Sequence, residues 1–72
     1  MEEKFLNFVA GLFEVDPSSL TLDTAYGEIP EWDSLMQLRL VAEIGDEYGV
    51  EIPIDEVGDI TTLGGFFEYV KG

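Results

Sequence analysis

The chain has 72 residues, sixteen acidic against three basic, for a formal charge of −13, and it contains no histidine and no cysteine. That composition excludes the commonest general base, a thiolate nucleophile, a zinc–thiolate site and a disulfide framework. So acidic a surface repels nucleic acid and anionic membranes and favours basic patches on other proteins, while 46% hydrophobic and 12% aromatic residues are too many for a disordered acidic chain.

The length predicts one domain over residues 1–72, near the lower limit for folding without a staple or a partner. The chain opens Met1-Glu2-Glu3-Lys4, without the basic leader and apolar run of a secretory signal. No apolar stretch approaches the roughly 20 residues needed to span a bilayer. These features predict a soluble, cytoplasmic monomer.

Between Glu2 and Glu14, Phe5, Phe8, Val9 and Leu12 recur at helical spacing, and Leu6 and Phe13 widen the stripe. Asp16-Pro17-Ser18-Ser19 breaks the pattern with turn chemistry. From Val15 to Asp33 nothing is strongly periodic, but Leu20, Leu22, Tyr26 and Ile29 can anchor a long ordered loop on the core. A second helix is predicted to begin at Asp33 or Ser34, both good N-caps, and to run to Tyr48, with Gly49 as C-cap. Leu40, Ile44 and Tyr48 share one face of it, joined by Val41. Ile52-Pro53-Ile54 reads as extended, and Asp55-Glu56-Val57 as one helical turn stopped by Gly58. Thr61 or Thr62 caps a last helix that turns Leu63, Phe66, Phe67 and Val70 inward. Gly64 and Gly65 in its first turn weaken it by about 1 kcal/mol each relative to alanine, so that it either frays or packs closely there. The predicted fold is all-α, with three main helices, one short helix and no convincing strand.

Ser34 is the residue on which a function can hang. A nucleophilic serine needs a base within reach and donors for the oxyanion. With no histidine, and with Lys4 and Lys71 near the ends of the chain, no base is in sight. A helix N-terminus, however, offers unpaired N–H groups and partial positive charge, so a phosphate ester on Ser34 would be well placed. The plain alternative is that Ser34 or Asp33 simply caps the helix.

The surroundings carry more information than the serine alone. Asp33-Ser34-Leu35 opens an apolar helix after a long loop and precedes Tyr48-Gly49-Val50-Glu51-Ile52-Pro53 and Ile60-Thr61-Thr62-Leu63. In that order and spacing the whole chain resembles the acyl carrier protein family. The resemblance implies a small four-helix bundle of acyl-carrier type. It also implies that Ser34 receives 4′-phosphopantetheine from coenzyme A, transferred by a separate Mg²⁺-dependent phosphopantetheinyl transferase. Asp33 would help present the serine to that enzyme, and Leu35 would be an exposed apolar contact for acyl-loading and acyl-processing enzymes. The chain itself would be a non-catalytic carrier of thioesters in a specialised lipid or secondary-metabolite pathway, with no metal site of its own.

The chain departs from the family's fatty-acid carriers in several places. Glu31-Trp32 stands where a glycine and a small or acidic residue usually precede Asp-Ser-Leu. Met36 and Arg39 occupy two positions that are normally acidic. The recognition face is therefore more apolar, which implies a dedicated partner contacted through Leu35, Met36, Leu38 and Arg39. Trp32 is either a further contact or a loop anchor packed on the core. Met36 and Leu38 either meet partners or line a shallow acyl cavity between the second and third helices. Peptidyl and D-alanyl carriers share the fold, so the cargo is acyl or aminoacyl.

Two other classes compete. Calcium binding through an EF-hand loop beginning at Asp55 fails, because Val57, Ile60 and Phe66 fall where a ligand, the glycine and the bidentate glutamate are required. Diffuse binding of divalent ions to the carboxylates would still relieve self-repulsion. A non-carrier acidic adaptor for a basic protein would explain the charge but would make no demand on Ser34.

Overall fold

Helical spacing becomes helices in the computed structural model, which describes residues 2–71. They are α1 (Glu2–Phe13), α2 (Ser34–Tyr48), the single-turn α3 (Ile54–Val57) and α4 (Leu63–Lys71), with a 3₁₀ turn at Pro17–Ser19. Among the described residues there is no strand, only an isolated antiparallel bridge between Ala25 and Thr62. The all-α bundle of three main helices and one short helix is the fold observed.

The buried face of α1 is Phe5, Val9, Ala10 and Phe13, rotated slightly from the predicted stripe, so that Phe8 and Leu12 are only half-buried. The rotation follows from what covers the helix. Phe5 meets Phe67 of α4 at 5.2 Å between ring centroids, and Phe13 meets the loop residue Trp32 at 5.7 Å. In α2 the fully buried positions are Leu40 and Ile44, with Tyr48 and Val41 half-buried beside them. Leu63 and Phe66 of α4 close the core from the other side.

The long loop is tied down at both ends. Asp16 accepts from the N–H and the hydroxyl of Ser18 at 2.9 and 2.8 Å, which holds its carboxyl below the usual range and starts the 3₁₀ turn. Further on, the loop is stitched to the start of α4. Tyr26 N–H donates to Thr61 O at 2.7 Å, Leu63 N–H to Thr24 O at 3.1 Å, and Gly64 N–H to Leu22 O at 2.8 Å. The last two satisfy first-turn donors that a helix cannot satisfy internally. A third donor, Gly65 N–H, is taken by Thr62 Oγ1 at 3.2 Å, which makes Thr62 the cap.

This arrangement explains Gly64 and Gly65. A Cβ on Gly64 would lie 3.1 Å from Leu22 O, and one on Gly65 would lie 3.0 Å from Ile60 Cγ2. The glycines let the loop and the α3–α4 connection approach the helix, and the first turn is pinned rather than frayed.

The other end of α2 carries a similar constraint. Gly49 closes the helix in the left-handed region at φ 65°, and Val50 N–H donates back to Gly45 O at 3.1 Å. This brings the Val50 carbonyl oxygen to 2.9 Å from where a Cβ on Gly45 would stand. Gly45→Ala is expected to destabilise the protein by about 1–3 kcal/mol despite alanine's better helix propensity. A urea titration would read this as a lower midpoint at unchanged slope; an equal or higher midpoint would contradict the contact.

Candidate functional site

The site is built at the junction of the loop and α2. Asp33 is extended, at φ −112° and ψ −173°. Its Oδ1 accepts from Met36 N–H at 2.9 Å, and its carbonyl accepts the first intrahelical bond, from Gln37 N–H at 2.9 Å. Asp33 is therefore the N-cap, and Ser34 is the first residue of the helix. The division of labour matters chemically. Ser34 is exposed, and its hydroxyl makes no hydrogen bond to a described residue. Its own N–H and that of Leu35 remain free donors, with no acidic side chain in the first turn to occupy them. A phosphodiester on Ser34 Oγ would meet those N–H groups and the positive end of the helix.

Beside Ser34 a cleft of about 360 Å³ opens between α2 and α3. The exposed Tyr26 and Leu38 line its rim, and the buried Val57, Ile60 and Gln37 line its floor. The walls are predominantly apolar. Gln37 is the polar exception. It is buried, its Oε1 accepts from Trp32 Nε1 at 2.6 Å, and its Nε2 donates to Val57 O at 3.1 Å and Ile60 O at 3.0 Å. Every hydrogen-bonding direction of the amide nitrogen is used. From the opposite side Tyr69 of α4 donates its hydroxyl to Glu56 Oε1, and that bond to a carboxylate is the main reason its phenol is pushed upward. A four-residue helix cannot sustain itself. Gln37 from α2 and Tyr69 from α4 hold α3 in place.

The sequence-predicted contact residues separate. Leu35 is 76% exposed and Leu38 54%, and Arg39 is exposed with no ion pair to a described residue. These three share the first two turns of α2 next to Ser34. Met36 is half-buried against the core and does not line the cleft, whereas Leu38 does. Trp32 requires correction as a contact residue. It is 1% exposed and packs against Phe13, Tyr26 and Phe66. Its ring is a loop anchor, because the indole has more apolar area to bury than the loop could leave in water.

Gln37 is the residue that sequence reasoning missed, since a glutamine on an amphipathic helix is ordinarily placed in solvent. Two signals pointed to it. It stands three and seven residues before Leu40 and Ile44, on the buried stripe, and a buried tryptophan needs an acceptor for its N–H.

Among the described residues no group of three or more acidic side chains is arranged to hold a metal ion, and no helix is long and apolar enough to cross a membrane. An uncommitted serine at a helix N-terminus, with an apolar cleft at its side in an all-α bundle, is an arrangement that suits a carrier class bearing its cargo on a prosthetic arm. The family model described as the phosphopantetheine attachment site matches residues 3–70. An acyl carrier protein of Lactobacillus acidophilus is 35% identical over 68 residues, covering 94% of this chain and 85% of that protein. Acyl carrier proteins of Rickettsia canadensis and Rickettsia typhi are 35% and 34% identical over 71 residues, covering 99% of this chain and 83% of each.

The chain belongs to the acyl carrier protein family, and the prosthetic group that goes with membership is covalently bound 4′-phosphopantetheine. Membership also implies a phosphopantetheinyl transferase and partner enzymes.

Proposed function

We propose that Ser34 is the attachment point of the 4′-phosphopantetheine arm, and that the chain is a single carrier domain, residues 1–72, presenting acyl or aminoacyl thioesters to partner enzymes. The arm supplies the thiol on which the cargo rides. The protein's own contribution is positional. Asp33 fixes the start of α2 and keeps Ser34 Oγ uncommitted, the free N–H groups of Ser34 and Leu35 face the phosphate, and Leu35, Leu38 and Arg39 form the surface a partner meets. Acids, bases and metal ions come with the partners, so the carrier is non-catalytic. With Met36 half-buried and Arg39 cationic, that surface carries no carboxylate, which supports a dedicated partner in a specialised lipid or secondary-metabolite pathway. The reading places the carrier in the cytoplasm as a monomer. The observation that carries it is the capping bond from Met36 N–H to Asp33, at 2.9 Å, because it releases Ser34 from structural duty.

The test is intact mass after incubation with coenzyme A, Mg²⁺ and a broad-specificity phosphopantetheinyl transferase. One 4′-phosphopantetheine adduct is expected on the wild type and none on Ser34→Ala, with the variant's melting temperature unchanged because Asp33 does the capping. An adduct that persists on Ser34→Ala would move the attachment point. A wild type left bare by this transferase and by that of its host would favour an acidic adaptor.

A further inference from the structure

The cleft beside Ser34 has an unusual floor. In a channel meant to admit a long hydrocarbon chain between two helices, the side chains lining the way in must part without losing polar contacts. Here the way in is barred by Gln37. Its amide spans from α2 to the carbonyls of Val57 and Ile60, at 3.1 and 3.0 Å, and is locked from behind by the indole of Trp32 at 2.6 Å. No buried side-chain polar atom among the described residues lacks a partner. Opening the bar would therefore strand an indole N–H, the Ile60 carbonyl oxygen and both ends of an amide in an apolar setting, while the Val57 carbonyl keeps only its bond from Ile60 N–H, and a hydrocarbon chain offers none of the stranded groups a replacement. A cleft of about 360 Å³ also sits at the low end of the range that ligand pockets occupy.

We propose that Gln37 is a specificity-determining crossbar, which keeps the cleft shallow and makes this a carrier that shelters short acyl groups and leaves long ones in solvent. The inference rests on attachment at Ser34. Leu38 and Tyr26 at the rim and Val57 and Ile60 on the floor cover the first carbons of a cargo that folds back from Ser34. Beyond those carbons the chain meets the amide plane. Gln37 touches no reacting atom, and its part is to set how much of the cargo is hidden from water.

The experiment loads the full chain with acetyl-, octanoyl- and palmitoyl-4′-phosphopantetheine, transferred to Ser34 from the corresponding coenzyme A thioesters by a phosphopantetheinyl transferase with Mg²⁺, with 3′,5′-ADP as the leaving group. Intact mass first confirms one adduct and its absence from Ser34→Ala; an unloaded wild type overturns the attachment reading and this inference with it, and is recognised at that step. Two readouts follow on the loaded protein. Trp32 is the only tryptophan, so its indole N–H gives a single NMR resonance that reports on the bond to Gln37. In the wild type this resonance is expected to stay in place, and protected from exchange, with all three cargoes. The melting temperature is expected to differ by less than about 2 °C between acetyl and octanoyl forms.

In Gln37→Ala the bar is gone, so octanoyl is expected to raise the melting temperature over acetyl by roughly 5 °C or more as its methylenes find cover. A wild-type indole resonance that moves or loses protection with octanoyl or palmitoyl, together with melting temperature rising with chain length, overturns the proposal. The wild-type measurements decide the matter even if Gln37→Ala folds poorly.

Discussion

Trp32→Ala is expected to leave the protein largely unfolded at physiological temperature. Deleting a fully buried large aromatic costs about 3–5 kcal/mol through lost transfer energy and the cavity left behind. Here the indole also makes the only donor contact to Gln37 Oε1 among the described residues, and stranding that oxygen adds about 1–3 kcal/mol. A chain of this length has a total stability of roughly 4–11 kcal/mol. The loss is therefore comparable with the whole, and the melting temperature should fall by about 15 °C or more. Trp32→Phe separates the two contributions, because it keeps a ring against Phe13 and Phe66 while removing the N–H. It should cost less than the alanine variant but more than a volume-matched swap. Thermal unfolding followed by far-ultraviolet circular dichroism reads both. A Trp32→Ala protein melting within about 5 °C of the wild type would mean that the loop does not depend on this anchor.

That a loop residue carries so much of the core bears on what could be read in advance. The helices were legible because their information is local. Phe5 and Val9, Leu40 and Ile44, and Phe66 and Val70 announce their faces by spacing, and Asp33, Gly49 and Thr62 mark ends by capping chemistry. The site was legible in outline for a similar reason, since Ser34 stands in a short motif with a fixed relation to the helix start. What stayed out of reach was non-local.

Whether Asp33 or Ser34 caps α2 depends on which side chain turns back to Met36 N–H. Whether Trp32 faces a partner or the core depends on Phe13 and Phe66, nineteen and thirty-four residues away. Gly64 and Gly65 were readable as weak points of a helix but not as the places where Leu22 and Ile60 approach. Gln37 combines both kinds of difficulty. Its register on the buried stripe is local information, but its partners Val57 and Ile60 lie twenty and twenty-three residues downstream. A polar residue on a buried stripe, three positions after a serine that opens a helix and five after a tryptophan, is the pattern that would mark the same hydrogen-bonded bridge in another chain.

Gln37→Glu tests that crossbar by exchanging one heavy atom, the amide nitrogen for an oxygen, with almost no change of shape. One carboxylate oxygen can still accept from Trp32 Nε1. The other takes the place of the amide nitrogen and faces the carbonyl oxygens of Val57 and Ile60, where it has nothing to donate. The ionised form is thus disfavoured in the fold by burial and by two opposed dipoles, and the carboxyl is held above its ordinary value near 4.3. When protonated it can donate to one of the two carbonyls.

The sign follows from linkage. A group whose value is raised by folding gives its full contribution below the unfolded value and loses it as pH rises through the folded one. The variant's deficit against wild type should therefore be smallest near pH 4 and grow to about 2–4 kcal/mol by pH 7. Because the other carboxylates are common to both proteins, comparing the two at each pH removes their effect. A deficit that stays flat over this range would mean that the amide does not point at Val57 and Ile60, and the floor of the cleft would have to be redrawn. A deficit that grows as described ties the position of α3, and with it the depth of the cleft beside Ser34, to the protonation of one side chain.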